Sequence, residues 1–137
     1  MEKRIYYHDT DCGGVVYYAN YLKYLEEART EYLLSKGVDL QKLSGKGIWF
    51  AVAKVEIEYK SPARYQDTIR ILTIVERIKY SAMQFFQKIL KNNTTVVEAH
   101  TMLICVNNDK GYALDGTYPK ILYLLARFSR TPLIKYA

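Results

Sequence analysis

Between Asn20 and Lys36 the residues Tyr21, Tyr24, Leu25, Ala28 and Tyr32 fall at the i, i+3, i+4, i+7, i+11 spacing of a single helix face. The opposite face is charged, and Lys23 with Glu27 forms an i, i+4 pair of opposite sign. Asn20 is placed to cap the first turn, and Gly37 stands where a left-handed terminator ends a helix. From Val52 the period changes to two: Val55, Ile57 and Tyr59 alternate with Lys54, Glu56, Glu58 and Lys60, as in a strand with one wet face. Ser61-Pro62-Ala63 breaks that strand.

Three further strands are predicted over Thr68 to Ile78, Met83 to Lys91 and Thr95 to Val106, and a short one over Lys3 to Tyr7 near the start. Asn92-Asn93 and Asn107-Asn108-Asp109-Lys110-Gly111 read as the turns of an antiparallel meander. Pro119 opens a short peripheral helix from Lys120 to Phe128, with Thr117 as its cap. One long amphipathic helix among several long strands makes this an α+β chain, with the helix packed on one face of an antiparallel sheet. Such a sheet leaves an edge strand and part of an apolar face uncovered, and pairing of two copies would cover both.

The 137 residues suit one domain, 1–137, without linker or internal repeat. No apolar run reaches the roughly 20 residues of a membrane span, and Met1-Glu2-Lys3-Arg4 carries no signal region, so a cytoplasmic protein is expected. The net charge of +6 favours anionic partners. Its basic residues are spread along the chain, which argues against a nucleic-acid arm. Cys12 and Cys105 lack the spacing of a metal knuckle or redox pair and read as free thiols, and His8 beside Asp9 lacks the further ligands of a metal site.

Arg4-Ile5, Thr10-Asp11, Gly14-Val15-Val16 and Ala19-Asn20-Tyr21, in that order and spacing, resemble the signature of 4-hydroxybenzoyl-CoA thioesterase-like proteins. Asp9-Thr10-Asp11, the following glycines and the helix through Arg29-Thr30-Glu31 are most similar to the Tol-Pal-associated bacterial acyl-CoA thioesterases. Similarity continues through Val55 to Arg64 and, more loosely, to about Val106. The resemblance implies the hotdog fold, a long central helix wrapped by a five- or six-stranded antiparallel sheet, assembled as a homodimer or homotetramer. It also implies an acyl-CoA substrate bound between subunits, with an acyl carrier protein as the alternative donor. No metal or cofactor is implied, coenzyme A being part of the substrate.

Thioester hydrolysis needs an attacking oxygen and donors for the carbonyl oxygen. The leaving thiol, with a pKa of about 8.5, departs as an anion without a strong acid. The resemblance assigns the catalytic carboxylate to Asp11, as general base or as nucleophile. Asp9 lies on the same side of an extended stretch and is given a structural part, and either aspartate could instead form an Asx turn ahead of the glycines. Backbone N–H groups at Gly13 and Gly14, beside Val15, are one of two places that could polarise the carbonyl, since glycines permit close approach to substrate and positive φ; a tight turn before the helix is the other reading of the pair. A turn at Ile48-Trp49-Phe50 corresponds to the family's polarising amide from the partner, which points to the Trp49 N–H. Many of the Tol-Pal-associated enzymes carry histidine where this chain has Tyr18, which the 4-hydroxybenzoyl-CoA enzymes share. A tyrosine there suits hydrogen bonding or acyl-pocket lining better than proton transfer at neutral pH. Lys60, Ser61 and Arg64, ahead of Lys79 and Lys88, are the candidates for holding the coenzyme A end, and His100 reads as a partly exposed sheet residue. The competing functions are a non-catalytic acyl-carrier or interaction scaffold and, last, a hotdog hydratase.

Overall fold

A computed structural model describes residues 1–79, 81–107 and 111–112. β1 (Glu2–Arg4) leads through a single 3-10 turn (Tyr7–Asp9) to helix α1 (Asn20–Ser35) and the short α2 (Leu40–Gly45). β2 (Ile48–Tyr59), β3 (Thr68–Lys79), β4 (Ala82–Lys91), β5 (Thr94–Asn107) and β6 (Gly111–Tyr112) follow. The antiparallel sheet runs β1-β3-β4-β5-β2, with β6 added on β5. Asn92 and Asn93, at φ 47° and 64°, make the two-residue hairpin between β4 and β5; asparagine enters that left-handed region more readily than most residues.

Tyr21, Tyr24, Leu25, Ala28 and Leu33 of α1 are buried, joined by Ile69, Ile71 and Val75 of β3, Met83, Phe85 and Ile89 of β4, and Val97, Ala99 and Leu103 of β5. The expected wrapped helix is thus present. Its core also holds a polar seam: Arg29 Nη1 donates to Gln87 Oε1 at 3.1 Å, while Gln87 Nε2 donates to the Leu25 carbonyl at 2.9 Å and to Thr73 Oγ1 at 3.0 Å.

Several local expectations change. β1 stops at Arg4 because Asp9 turns back and accepts the Tyr6 N–H at 2.8 Å, winding Tyr7–Asp9 into a turn. Asn20 does not cap α1: the cap position is Ala19, and the Asn20 amide donates instead to the Asp9 carbonyl at 2.9 Å. Glu27 pairs with Lys3 at 3.3 Å, not with Lys23. Gly37 has the expected positive φ, 82°, but α2 follows, started by Asp39, whose carboxylate accepts from Gln41 N and Lys42 N. Ile48-Trp49-Phe50 is the beginning of β2, opposite Asn107, Val106 and Cys105, and no turn. A register shift between Val52 and Lys54 puts the earlier residues out of phase with the alternation that marks the later ones. Asn107 pairs with Gly111 as a hairpin would require, whereas Asn108–Lys110 and the expected helix Lys120–Phe128 with Thr117 and Pro119 lie outside the described residues.

Among the described residues β2 pairs only with β5. Val52, Val55, Ile57 and Tyr59 stand opposite the inward-facing Leu103, Thr101, Ala99 and Val97, yet Val52 is 55% exposed and Val55 37%. The inner face of this edge strand is therefore left uncovered among the described residues.

Candidate active site

Residues 9–17 close on themselves. Asp11 N donates to the Val15 carbonyl at 2.9 Å, Gly14 N to the Asp11 carbonyl at 3.0 Å and Tyr17 N to the Asp9 carbonyl at 2.9 Å, while Thr10 bridges Val16. Gly14 makes this tight loop possible with φ 75°, where a side chain would strain the backbone. The break after β2 docks against it: Val16 N donates to the Ala63 carbonyl at 2.8 Å and Val15 bridges Arg64. Two segments far apart in sequence thus meet through backbone bonds.

Asp11 is exposed and lines a cleft of about 380 Å³ together with Tyr7, Thr10, Cys12, Gly14 and Tyr65. Its Oδ1 accepts the Gly13 N–H at 2.8 Å, an Asx turn, and among the described residues its Oδ2 has no protein partner. The Asx turn and an available carboxylate oxygen therefore coexist. A Cβ built on Gly13 would lie 3.0 Å from Asp11 Oδ1, so Gly13→Ala displaces this carboxylate by a few tenths of an ångström. We expect that substitution to lower kcat about 10-fold with folding intact, the usual sensitivity to a misplaced reacting group, as read by steady-state kinetics and circular dichroism.

Val15, Tyr18, Tyr59, Lys60 and Ser61 line a second cleft of about 320 Å³. Tyr18 is 61% exposed, meets Tyr17 and Tyr59 edge-on at 5.0 and 6.1 Å, and its carbonyl accepts the Tyr59 hydroxyl at 3.3 Å. Gly14 borders the first cleft and Val15 the second, so the loop places the two side by side. Asp11, Gly13, Gly14, Val15, Tyr18, Lys60, Ser61 and Arg64 are thereby gathered in one region.

Trp49, expected to act from a partner subunit, is not among them within one chain. It lies ten residues from Tyr59 along β2, about 33 Å at strand spacing, and lines neither cleft. Gly13 and Gly14 differ from expectation, because both N–H groups are already donated to Asp11. Lys60 is engaged by Glu98 at 2.8 Å and Lys88 by the same carboxylate at 3.0 Å. Ser61 Oγ donates to the Thr95 carbonyl at 2.7 Å. Arg64 is different: its guanidinium passes Gly14, 4.0 Å from a Cβ placed there, and carries no ion pair among the described residues. His100 is half-buried against Glu76 at 2.9 Å. Cys12 is exposed and Cys105 buried, and both are free. No three His, Cys, Asp or Glu side chains converge among the described residues.

Sequence reasoning passed over Tyr7, Tyr59 and Tyr65, which wall the clefts, because fourteen tyrosines give no pattern that separates lining from packing. Asp9, given a structural part, is only 7% exposed. Burial alone would raise its carboxyl, but the Tyr24 hydroxyl at 2.7 Å, the Tyr6 N–H and the charges of His8 and Lys3 bring it below the ordinary value. A carboxyl lowered on folding adds stability that is full above the unfolded value of about 3.9 and lost as pH falls through the folded one. Burial and the Asp9 carboxylate together push the Tyr24 hydroxyl far upward, so it stays protonated and donates.

Residues 6–134 match the thioesterase-like superfamily. An acyl-CoA thioester hydrolase, YbgC, of Escherichia coli is 39% identical over 105 residues, 76% of this chain and 78% of the relative. The acyl-CoA thioesterase YbgC of Haemophilus influenzae is 36% identical over 118 residues, 85% of each chain. Among solved structures, a probable thioesterase from Bartonella henselae superposes with TM-score 0.77 at 29% identity, covering 82% of this chain and 94% of that one. A DHNA-CoA thioesterase from Staphylococcus aureus gives TM-score 0.85 at 25% identity, over 93% and 87%. No helix among the described residues is long and apolar enough to cross a membrane. The helix wrapped by a curled antiparallel sheet is the hotdog fold, and the chain belongs to the thioesterase-like superfamily as a thioester hydrolase.

Proposed function

We propose that this chain hydrolyses acyl-CoA thioesters of short, medium or aromatic acyl groups, with Asp11 as the working carboxylate and two copies of the chain completing the site. The observation that carries this reading is the open Oδ2 of Asp11 in a cleft beside the Tyr18–Tyr59 cleft. A carboxylate so placed either draws a proton from an attacking water or attacks the thioester carbon itself, and the thiolate of coenzyme A leaves unaided. With the Gly13 and Gly14 amides consumed, and the Asn20 and Leu22 N–H groups donated to the Tyr17 and Ala19 carbonyls, the donor for the carbonyl oxygen is the Tyr18 N–H just ahead of α1, which has no protein acceptor among the described residues. Arg64 supplies a positive charge for the phosphates of coenzyme A, and the Tyr18–Tyr59 cleft receives the acyl group.

A second copy fits the inner face of β2, exposed at Val52 and Val55 among the described residues, which ends at Tyr59 and so runs into the second cleft. Val55→Arg is expected to weaken self-association by about 100-fold, the equivalent of the ~3 kcal/mol penalty for burying one unpaired charge, and to remove hydrolysis with it. Sedimentation velocity across a dilution series, alongside kinetics, reads both. The reading as a whole is tested by thiol release from a panel of acetyl-, butyryl-, hexanoyl-, benzoyl- and 4-hydroxybenzoyl-CoA. At least one ester is cleaved; a wild-type protein inert to all of them, and to the same acyl groups on an acyl carrier protein, has no such activity and favours a scaffold.

A further inference from the structure

Asp9 ties two parts of the molecule together. Its carboxylate is buried with Oδ1 on the Tyr24 hydroxyl at 2.7 Å, one helical turn into α1, and Oδ2 on the Tyr6 N–H at 2.8 Å. Its carbonyl accepts both the Tyr17 N–H and the Asn20 side-chain amide at 2.9 Å. The loop has no other side-chain hydrogen bond to α1 among the described residues, its remaining contact there being the packing of Val16 against the core, and Asp11 stands two residues along it from Asp9. Lys3 seats its ammonium 4.8 Å above the Tyr24 ring, so the ring stays packed when its hydroxyl is removed.

We propose that Asp9 is a positioning residue: through the Tyr24 hydroxyl it anchors the loop on α1 and so fixes where the Asp11 carboxylate meets its substrate. The inference rests on Asp11 being the working carboxylate, but the anchoring itself does not. Loss of the Tyr24 hydroxyl removes the bond between the Asp9 carboxylate and α1 and loosens the base of the loop, which keeps its bonds to Tyr6, Tyr17 and Asn20, while the clefts keep the same side chains. Turnover then falls through kcat, because the reacting group is misplaced, and KM holds, because the groups that bind substrate are untouched.

The test uses Tyr24→Phe, with Asp9→Ala as the harsher variant and Asp9→Asn as the conservative one. In the conservative variant the side-chain carbonyl still accepts the Tyr6 N–H while the new amide donates to the Tyr24 oxygen. Tyr24→Phe should lower kcat about 10-fold with KM within twofold, Asp9→Ala should lower it further, and Asp9→Asn should recover most of the loss. Hydrogen exchange supplies a readout independent of turnover: the Gly13 N–H, bonded to Asp11 Oδ1, exchanges at least about 10-fold faster in Tyr24→Phe, while Phe85 and Ala99 in the core keep their rates. Unchanged Gly13 exchange overturns the inference, as does equal acceleration at Gly13, Phe85 and Ala99, which would mark general destabilisation. Should wild type cleave no thioester, the reading of Asp11 fails while Gly13 exchange still decides the anchor.

Discussion

Asp11→Asn leaves a folded, self-associating protein whose kcat on its best acyl-CoA ester drops by about 10³-fold, within the range for loss of a positioned acid–base group. The substitution is unusually clean here. The amide carbonyl it introduces accepts the Gly13 N–H as Asp11 Oδ1 does at 2.8 Å, so the loop keeps its Asx turn while the basic and nucleophilic oxygen is gone. KM should change little, because Arg64 and the walls around Tyr18 and Tyr59 are undisturbed. Thiol-release kinetics beside an amide correlation spectrum check both halves. A variant within about threefold of wild-type kcat would deny Asp11 any part in the chemistry.

The largest expected stability loss comes from the far side of α1. Gln87 is fully buried, and its carbonyl oxygen faces the buried guanidinium of Arg29 at 3.1 Å. Burial lowers the Arg29 pKa, with Glu26 opposing that effect, yet the group remains a cation beneath the sheet. Gln87→Ala strips that charge of its acceptor, removes the side-chain donor shared by Thr73 and the Leu25 carbonyl, the latter keeping its helical partner, and opens a cavity. A loss of about 3–4 kcal/mol follows from the cost of breaking one side of a buried charged contact. Urea unfolding measures it, and a loss below about 1 kcal/mol would mean Arg29 is satisfied without Gln87. Replacing both residues, as Arg29→Met with Gln87→Leu, should restore much of the stability, since the penalty belongs to the unpaired charge.

The long elements were legible because their signals are regular. Tyr21 to Ala28 repeat at helical spacing, Asn92-Asn93 is a two-residue turn that only a hairpin uses, and Gly37 ends α1 as a left-handed residue should. The failures are local competitions. Asn20 could cap or donate sideways, and the Asp9 carbonyl won it; Glu27 could meet Lys23 or Lys3, and strand β1 brought Lys3 closer. Trp49 looked like a turn residue because the bulge after Val52 hides the first part of β2 from a period-two search. Within the site, the motif located Asp11 and its loop, and Ser61-Pro62 located the segment that docks on it. The sequence could not show that the Gly13 and Gly14 amides are spent on Asp11, that Glu98 claims Lys60 and Lys88, or that Asp9 is locked to Tyr24. Each of those depends on distances across elements that no spacing along the chain encodes.

A crystal structure of Asp11→Asn with its best acyl-CoA ester bound tests the account most directly. The thioester carbonyl carbon should lie within about 4 Å of the substituted side chain, or one bridging water away, with the acyl group against Tyr18 and Tyr59 and a second copy of the chain closing the cleft. A thioester bound more than about 8 Å from position 11, beyond reach of even one bridging water, would contradict it.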